Sequence, residues 1–316
     1  PLDAGGPVHR FYDHWRPQAG IFVESELWPR LIVEGGKRGL YLAVLNARLS
    51  QKSVKTWCKF PATTHFILDQ FDLFLTQNAQ SADNLSAMGA EMDRVRSGSN
   101  LKAMSAPLPV DEQAVKQIGA QSADRPIWVA SSTHPGEEQI VLAAHQSLLE
   151  THPDLLLLLV PRHPERGDEV ARVITEMGLA AARRTVGEAI RPDIQVYLAD
   201  TLGELGAWYS LCPLVFLGGS LKDIGGHNPF EPAQAGAAVI TGPGYFNFAE
   251  TYRAMLDAGA AVEVRTGTEL AKAVDHWLTD AASLDRARSA ARVFAQTEQS
   301  ALDGIVDQLC LALKLD

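Results

Sequence analysis

The run Leu155–Val160, five leucines and a valine, restricts the fold more than any other stretch of the chain. An apolar segment of this length without alternation suits a strand buried on both faces, as in a parallel sheet covered by helices. Its neighbours read the same way. Strands are expected at Pro126–Ala130, Ile194–Leu198, Pro213–Leu217, Ala238–Thr241 and Ala261–Val264. Helices are expected at Glu137–Glu150, Asp168–Met177, Leu202–Leu211, Phe230–Ala235 and Phe248–Ala258, with Glu269–Leu278, Ala282–Thr297 and Ser300–Leu313 closing the chain. A similar round comes earlier: helices at Val8–Trp15, Leu27–Lys37 and Ala79–Met88, and strands at Gly20–Val23, Leu40–Leu45, Asp72–Leu75 and Val95–Ser99. Strands alternating with helices indicate an α/β fold with parallel sheets and crossover helices. Between the rounds, Ala103–Arg125 mixes proline, alanine and charge, which predicts a hinge. The expected lobes are therefore residues 1–105 and 106–316, with the terminal helices packing back on the first. A chain of 316 residues suits two domains.

Composition removes some functions. A net charge of −10 argues against nucleic acid as a partner, because phosphate backbones are held by a surplus of Lys and Arg. Cys58, Cys212 and Cys310 are far apart and form neither a zinc spacing nor a disulfide framework, which suggests a reducing compartment. Histidines are scattered and no Asp-x-Asp pair occurs, so no metal site is expected.

The richest stretch for chemistry is Phe216–Pro232, Phe-Leu-Gly-Gly-Ser-Leu-Lys-Asp-Ile-Gly-Gly-His-Asn-Pro-Phe-Glu-Pro. A strand running into glycines and then a helix starting near Asn228 and Pro229 offers bare backbone and a positive dipole end to an anion. Glu231, one turn in, is placed to accept hydrogen bonds from two sugar hydroxyls, the outline of a nucleotide-sugar site. The ordinary alternative is a strand-loop-helix joint in which Glu231 only favours the helix start. Three more polar segments follow strands: Ser131–His134, Pro161–Pro164 and Asp200–Glu204. Open α/β sheets bind ligands at those carboxyl ends. Arg162 suits a phosphate or a base, or else is a surface charge capping an acidic helix; Gly203 allows close backbone approach, and Thr201 reads as a helix cap with Glu204 in the first turn. In the first lobe, Glu24 and Glu26 bracket Ser25 at a strand end, where two close carboxylates could share binding or acid/base work; the alternative, which the pattern favours, is one ligand contact and one helix-capping acid. Trp28 reads as packing. Asn46 and Arg48 lie at the next strand end and can line the same cleft, and Lys102 follows a Gly-Ser turn where an anion could be faced.

Glu24-Ser25-Glu26-Leu27-Trp28-Pro29, Asn46-Ala47-Arg48-Leu49-Ser50, Gly98-Ser99-Asn100-Leu101-Lys102, Ser132-Thr133-His134, Pro161-Arg162-His163-Pro164-Glu165-Arg166 and Gly225-Gly226-His227-Asn228-Pro229 together resemble one family. It is the 3-deoxy-D-manno-octulosonic acid (Kdo) transferases of lipopolysaccharide synthesis, and the resemblance runs from about Phe11 to about Leu311. It implies a GT-B fold of two facing Rossmann-like lobes, the first incomplete here. It also implies inverting, metal-independent transfer of Kdo from CMP-Kdo to the lipid A precursor lipid IVA, at the cytoplasmic side of the bacterial inner membrane. The resemblance places Arg162, Gly203, Glu204, Gly226, His227, Asn228 and Glu231 on the donor, with Glu231 on the ribose. Ser99, Lys102 and Ser220 would address the phosphate or the Kdo carboxylate, and Glu24 or Glu26 would stand near the acceptor. In the family a membrane-associating segment and a Gly-Glu element with the general base precede the region matching Pro1. The expectation is thus a chain truncated at its start, keeping the donor site and lacking the base. No cofactor is implied beyond the donor substrate. The competing readings are a GT-B-type UDP-sugar 2-epimerase and a non-enzymatic nucleotide-binding module.

Overall fold

A computed structural model describes residues 2–97, 107–122 and 125–313 of the chain. The chain divides into two units, Pro1–Met104 with Glu298–Asp316, and Ser105–Thr297. In the first, the elements are α1 (Gly5–Trp15), β1 (Ala19–Val23), α2 (Pro29–Lys37), β2 (Tyr41–Ala47), α3 (Gln51–Trp57), α4 (Pro61–Leu68), β3 (Leu73–Thr76), α5 (Ala79–Ala87) and β4 (Val95–Ser97). The four strands form one parallel sheet in the order β1-β2-β3-β4. Alternate residues of β2 serve different cores. Leu42 and Val44 join Ile32, Phe71 and Phe74, while Ala43 joins Leu73 and Leu75 with Leu309 packed on them. That period of two is what a pleated strand between two layers requires.

The second unit contains α6 (Glu112–Ser122), β5 (Ile127–Thr133), α7 (Glu137–Leu149), β6 (Leu156–Pro161), α8 (Gly167–Glu176), β7 (Ala181–Arg183), β8 (Val196–Leu198), α9 (Leu205–Leu211) and β9 (Leu214–Leu217). It continues with α10 (Phe230–Gln234), β10 (Ala238–Thr241), α11 (Ala249–Asp257), β11 (Ala261–Glu263), α12 (Gly267–Thr279) and α13 (Ala281–Leu313), which runs on into the first unit. Its sheet is parallel throughout, in the order β11-β10-β9-β5-β6-β8-β7. The leucine run lies along β6, beside the central strand β5, with Leu155 to Leu159 fully buried, each side chain contributing roughly 1.5–3 kcal/mol by leaving water. Strand order reverses between β5 and β9, and a doubly wound sheet opens its ligand crevice at that point.

Several expectations needed correction. Residues 51–71 carried no expected element, yet they hold α3 and α4; the cap at Ser50, whose side chain accepts from the Ser53 N–H, and Pro61 in the first turn of α4 were the available signals. The supposed hinge contains α6, whose buried stripe of Ala114, Ile118 and Ser122 is too small and polar to read as a core face. The two closing helices are one, because no Pro or Gly occurs between Ala281 and Asp303 to stop it. The edge strand β7 is only three residues long and went unseen.

The core under the second sheet predicts a pH response. Buried His145 accepts from the Trp128 indole N–H at Nδ1 (3.2 Å) and donates from Nε2 to the Gln195 carbonyl (2.9 Å), so its second nitrogen cannot take a proton without opposing that donor. Burial pushes His145 down to about 4, and it does the same to His227. The unfolded chain therefore binds protons near pH 6.5 that the folded chain refuses until about 4. Stability falls as pH drops through that window, by at most about 1.4 kcal/mol per pH unit for each residue. A melting series from pH 7.5 to 4.5 checks this, with a flatter slope expected for His145→Gln; a slope unchanged by that substitution would remove His145 from the account.

Candidate functional site

At the carboxyl end of β9 the chain turns through Gly218 and Gly219, and the turn is fastened by a carboxylate from α7. Glu137 is fully buried. Its Oε2 accepts from the N–H of Gly219 (2.6 Å) and of His134 (3.1 Å), and its Oε1 from those of Ser220 (3.0 Å) and Leu221 (2.9 Å). These are the backbone groups that a glycine-turn anion site would have presented, and an internal anion already fills them. Ser220 is likewise committed: its hydroxyl donates to the Leu217 carbonyl (2.6 Å) and accepts from the Gly242 N–H (2.8 Å), and the side chain is fully buried. The expectation that Ser220 addresses a ligand anion is corrected to a role in holding the loop. The helix after it is also shorter than expected. It spans Phe230–Gln234 with Pro229 as its cap residue, too little helix for a dipole-based site.

What the turn does instead is present side chains. Gly225 and Gly226 both take positive φ, and the Gly226 N–H donates to the Gly219 carbonyl at 2.8 Å, closing the loop so that His227 emerges beside Gly219. A Cβ on Gly219 would lie 2.9 Å from that imidazole, so only glycine fits. His227 meets His134, from the end of β5, with Nε2 atoms 2.8 Å apart, and His163, after β6, stands edge-on to His134 at 5.9 Å. The Arg162 N–H bonds the Thr133 carbonyl (3.0 Å), which ties the ends of β6 and β5 together. The Thr133 hydroxyl is buried without a hydrogen-bond partner, one of four such side-chain atoms among the described residues. Glu231 joins this group electrostatically. Burial raises its carboxyl above the ordinary range, while the Arg162 charge and a hydrogen bond from Asn228 pull it back. Asn228 also accepts from the Phe230 N–H through Oδ1 at 3.1 Å. Arg162, His227, Asn228 and Glu231, with His134 and His163, thus converge at the strand-order reversal.

The third polar segment is organised by two arginines. Gly203 is exposed with φ +81 and no neighbour to clash with, so glycine is required there by backbone conformation alone. That conformation delays α9 to Leu205, and Thr201 is not its cap; the Thr201 hydroxyl bonds the Glu204 carboxylate instead. Burial would raise the Glu204 carboxyl, but bonds from Arg184 (2.6 Å) and Thr201 hold it below its ordinary value. Buried Asp200 next to it accepts from Arg183 and from Thr185.

In the first unit, Glu24 and Asn46 lie at adjacent strand ends, the Glu24 N–H bonding the Leu45 carbonyl at 2.8 Å. Both take φ near +55, as does Ser132 at the end of β5. Non-glycine residues rarely adopt that conformation, and it concentrates at functional sites. Asn46 is buried, Arg48 exposed and Glu24 half-buried. Exposed Glu26 accepts from the indole N–H of Trp28 (2.8 Å), and Trp28 is 43% exposed rather than packed. Ser99 and Lys102 lie outside the described residues. Among the described residues no group of three or more His, Cys, Asp or Glu could hold a metal ion, and no helix is long and apolar enough to cross a membrane.

Comparison with known proteins gives the chain's relatives. The profile of the family described as 3-deoxy-D-manno-octulosonic-acid transferase (kdotransferase) matches residues 1–105. The Haemophilus influenzae protein named 3-deoxy-D-manno-octulosonic acid transferase is 35% identical over 314 residues, covering 98% of this chain and 73% of that protein. Among solved structures, the C-terminal CMP-Kdo binding domain of WaaA from Acinetobacter baumannii superimposes with a TM-score of 0.54 at 34% identity, over 59% of this chain and all of that one. A Neisseria meningitidis UDP-GlcNAc 2-epimerase bound to UDP-GlcNAc superimposes over 95% of this chain and 78% of its own, with a TM-score of 0.60 at 10% identity. That last likeness is one of fold.

Proposed function

The chain belongs to the 3-deoxy-D-manno-octulosonic acid transferase family of glycosyltransferases, and from that premise we propose that its second unit grips CMP-Kdo at the strand tips around the β5–β9 reversal. The observation that carries the reading is the convergence of Arg162, Asn228 and Glu231 with the paired imidazoles of His134 and His227. The guanidinium of Arg162 supplies planar donors for the phosphate or the cytosine. Glu231, raised by burial and steadied by Asn228, accepts the ribose hydroxyls. Gly203 lets the base lie against backbone. The acceptor in this reading is the lipid A precursor lipid IVA, met by Glu24, Glu26, Asn46 and Arg48 of the first unit, at the cytoplasmic face of the inner membrane. Kdo transfer proceeds with inversion and without a divalent cation, since a single phosphate needs no more charge than an arginine and imidazoles provide.

Equilibrium binding of CMP and UDP tests the donor assignment. CMP is expected to bind and UDP to bind more weakly; preference for UDP would favour the epimerase-type chemistry of the fold neighbours and remove the proposal. Glu231→Ala is expected to weaken CMP by about 1–3 kcal/mol, the scale of lost hydrogen bonds to a charged group, with cytidine 2′,3′-dideoxy monophosphate insensitive to the same substitution.

A further inference from the structure

Two imidazoles in direct contact, Nε2 to Nε2 at 2.8 Å with ring planes 8° apart, have a restricted proton inventory. One nitrogen must donate and the other accept, so the contact holds one proton and excludes two. The charged groups around the pair bear on that count. From α10, Glu231 is met by the Arg162 charge, and burial raises its own carboxyl above the ordinary range. From the end of β6, Arg162 and His163 oppose any added positive charge. From the start of α7, Glu137 and Glu138 favour it, but Glu137 is saturated by four N–H groups and Glu138 is paired with Arg166. From α11, Tyr252 donates only to the His227 carbonyl (3.0 Å) and leaves the ring untouched. Burial adds to the opposition, holding His227 near 4 and His134 below its ordinary value. Burial, Arg162 and the shared contact all favour a neutral pair in the empty site.

A phosphate monoester beside Arg162 reverses the local sign, because a dianion rewards a second proton and supplies the acceptor that the extra N–H then lacks. We propose that docking of the nucleotide's phosphate parts the His134–His227 contact and is coupled to uptake of one proton by the pair, each ring then donating an N–H to phosphate oxygen. The inference rests on the donor reading above and adds the proton to it. The pair is thereby a charge-matching device: neutral when the site is empty, and cationic when the product-like dianion occupies it.

Calorimetric titration of the protein with CMP at pH 7, repeated in buffers of low and high ionisation enthalpy, counts the proton. Uptake approaching one per CMP is expected, together with none for cytidine, and with CMP affinity falling as pH rises, by up to about tenfold per pH unit. CMP binding without proton uptake would overturn the inference and leave the donor reading standing, whereas failure of CMP to bind would overturn both. His134→Gln/His227→Gln is expected to abolish the uptake; uptake persisting undiminished in that variant would place the proton elsewhere and also overturn it. Because the wild-type buffer series decides the question alone, a poorly folding variant does not shelter it.

Discussion

Glu137→Ala is expected to destabilise the second unit by about 3–5 kcal/mol and to abolish CMP binding even where the chain remains folded. The magnitude follows from what the substitution leaves behind. Four backbone N–H groups, of His134, Gly219, Ser220 and Leu221, lose a fully buried acceptor; the bonds from Gly219 and Ser220 are buried and those from His134 and Leu221 part-buried. An unsatisfied buried donor costs about 1–3 kcal/mol, and relaxation or entry of water recovers part of the sum. The functional loss has a separate origin. The two paired imidazoles hang from this carboxylate: His134 through its own N–H, and His227 because Gly226 bonds the Gly219 carbonyl. Glu137→Gln keeps one acceptor oxygen and turns the other into a donor facing N–H groups, so partial recovery of stability with weaker CMP binding is expected. Urea unfolding and CMP titration of both variants supply the check. Wild-type CMP affinity in a folded Glu137→Ala protein would show that the loop is held by something else.

Much of the architecture was legible because its signals are local. An unbroken apolar run such as Leu155–Val160 has few ways to be buried, and the alternation of strands and helices follows from it. The polar segments after β5, β6, β8 and β9 were legible as a rim for the same reason: a parallel sheet puts all its strand ends on one side. What failed to show was which groups on that rim face a ligand and which face each other. Glu137 reads as an ordinary first-turn acid, and nothing local says that three of its four partners are more than 80 residues away in sequence. The spacing His134-x-x-Glu137 was the one available hint, since it is the spacing at which a Glu near a helix start can reach back to a backbone N–H three residues earlier. Ser220 and Glu204 look like ligand groups for similar reasons, yet Gly242 and Arg184, which engage them, come from other loops. Positive φ at Glu24, Asn46 and Ser132 leaves no trace in composition. Isolated polar residues at strand ends are therefore weak evidence until their internal partners are known.

Arg166→Met is the second large expectation, at about 3–5 kcal/mol, the scale of a buried pair that has lost one member. Glu138 is 1% exposed and receives Arg166 at 2.7 Å through Nη1, while the same guanidinium reaches Glu169 at 2.8 Å. The exposed bond to Glu169 contributes little, because solvent screens it. The buried one matters because its loss strands a carboxylate inside the start of α7, next to the residue that fastens the glycine turn. Adding Glu138→Leu to Arg166→Met removes the stranded charge and is expected to restore most of the stability, as apolar replacements of buried pairs often do. CMP affinity should recover less. Arg166 also anchors the segment carrying Arg162 and His163, and an apolar contact fixes that segment less sharply than a two-pronged guanidinium does. If the double variant is as unstable as the single one, the cost lies in lost packing around Arg166 and the buried charge is not its source.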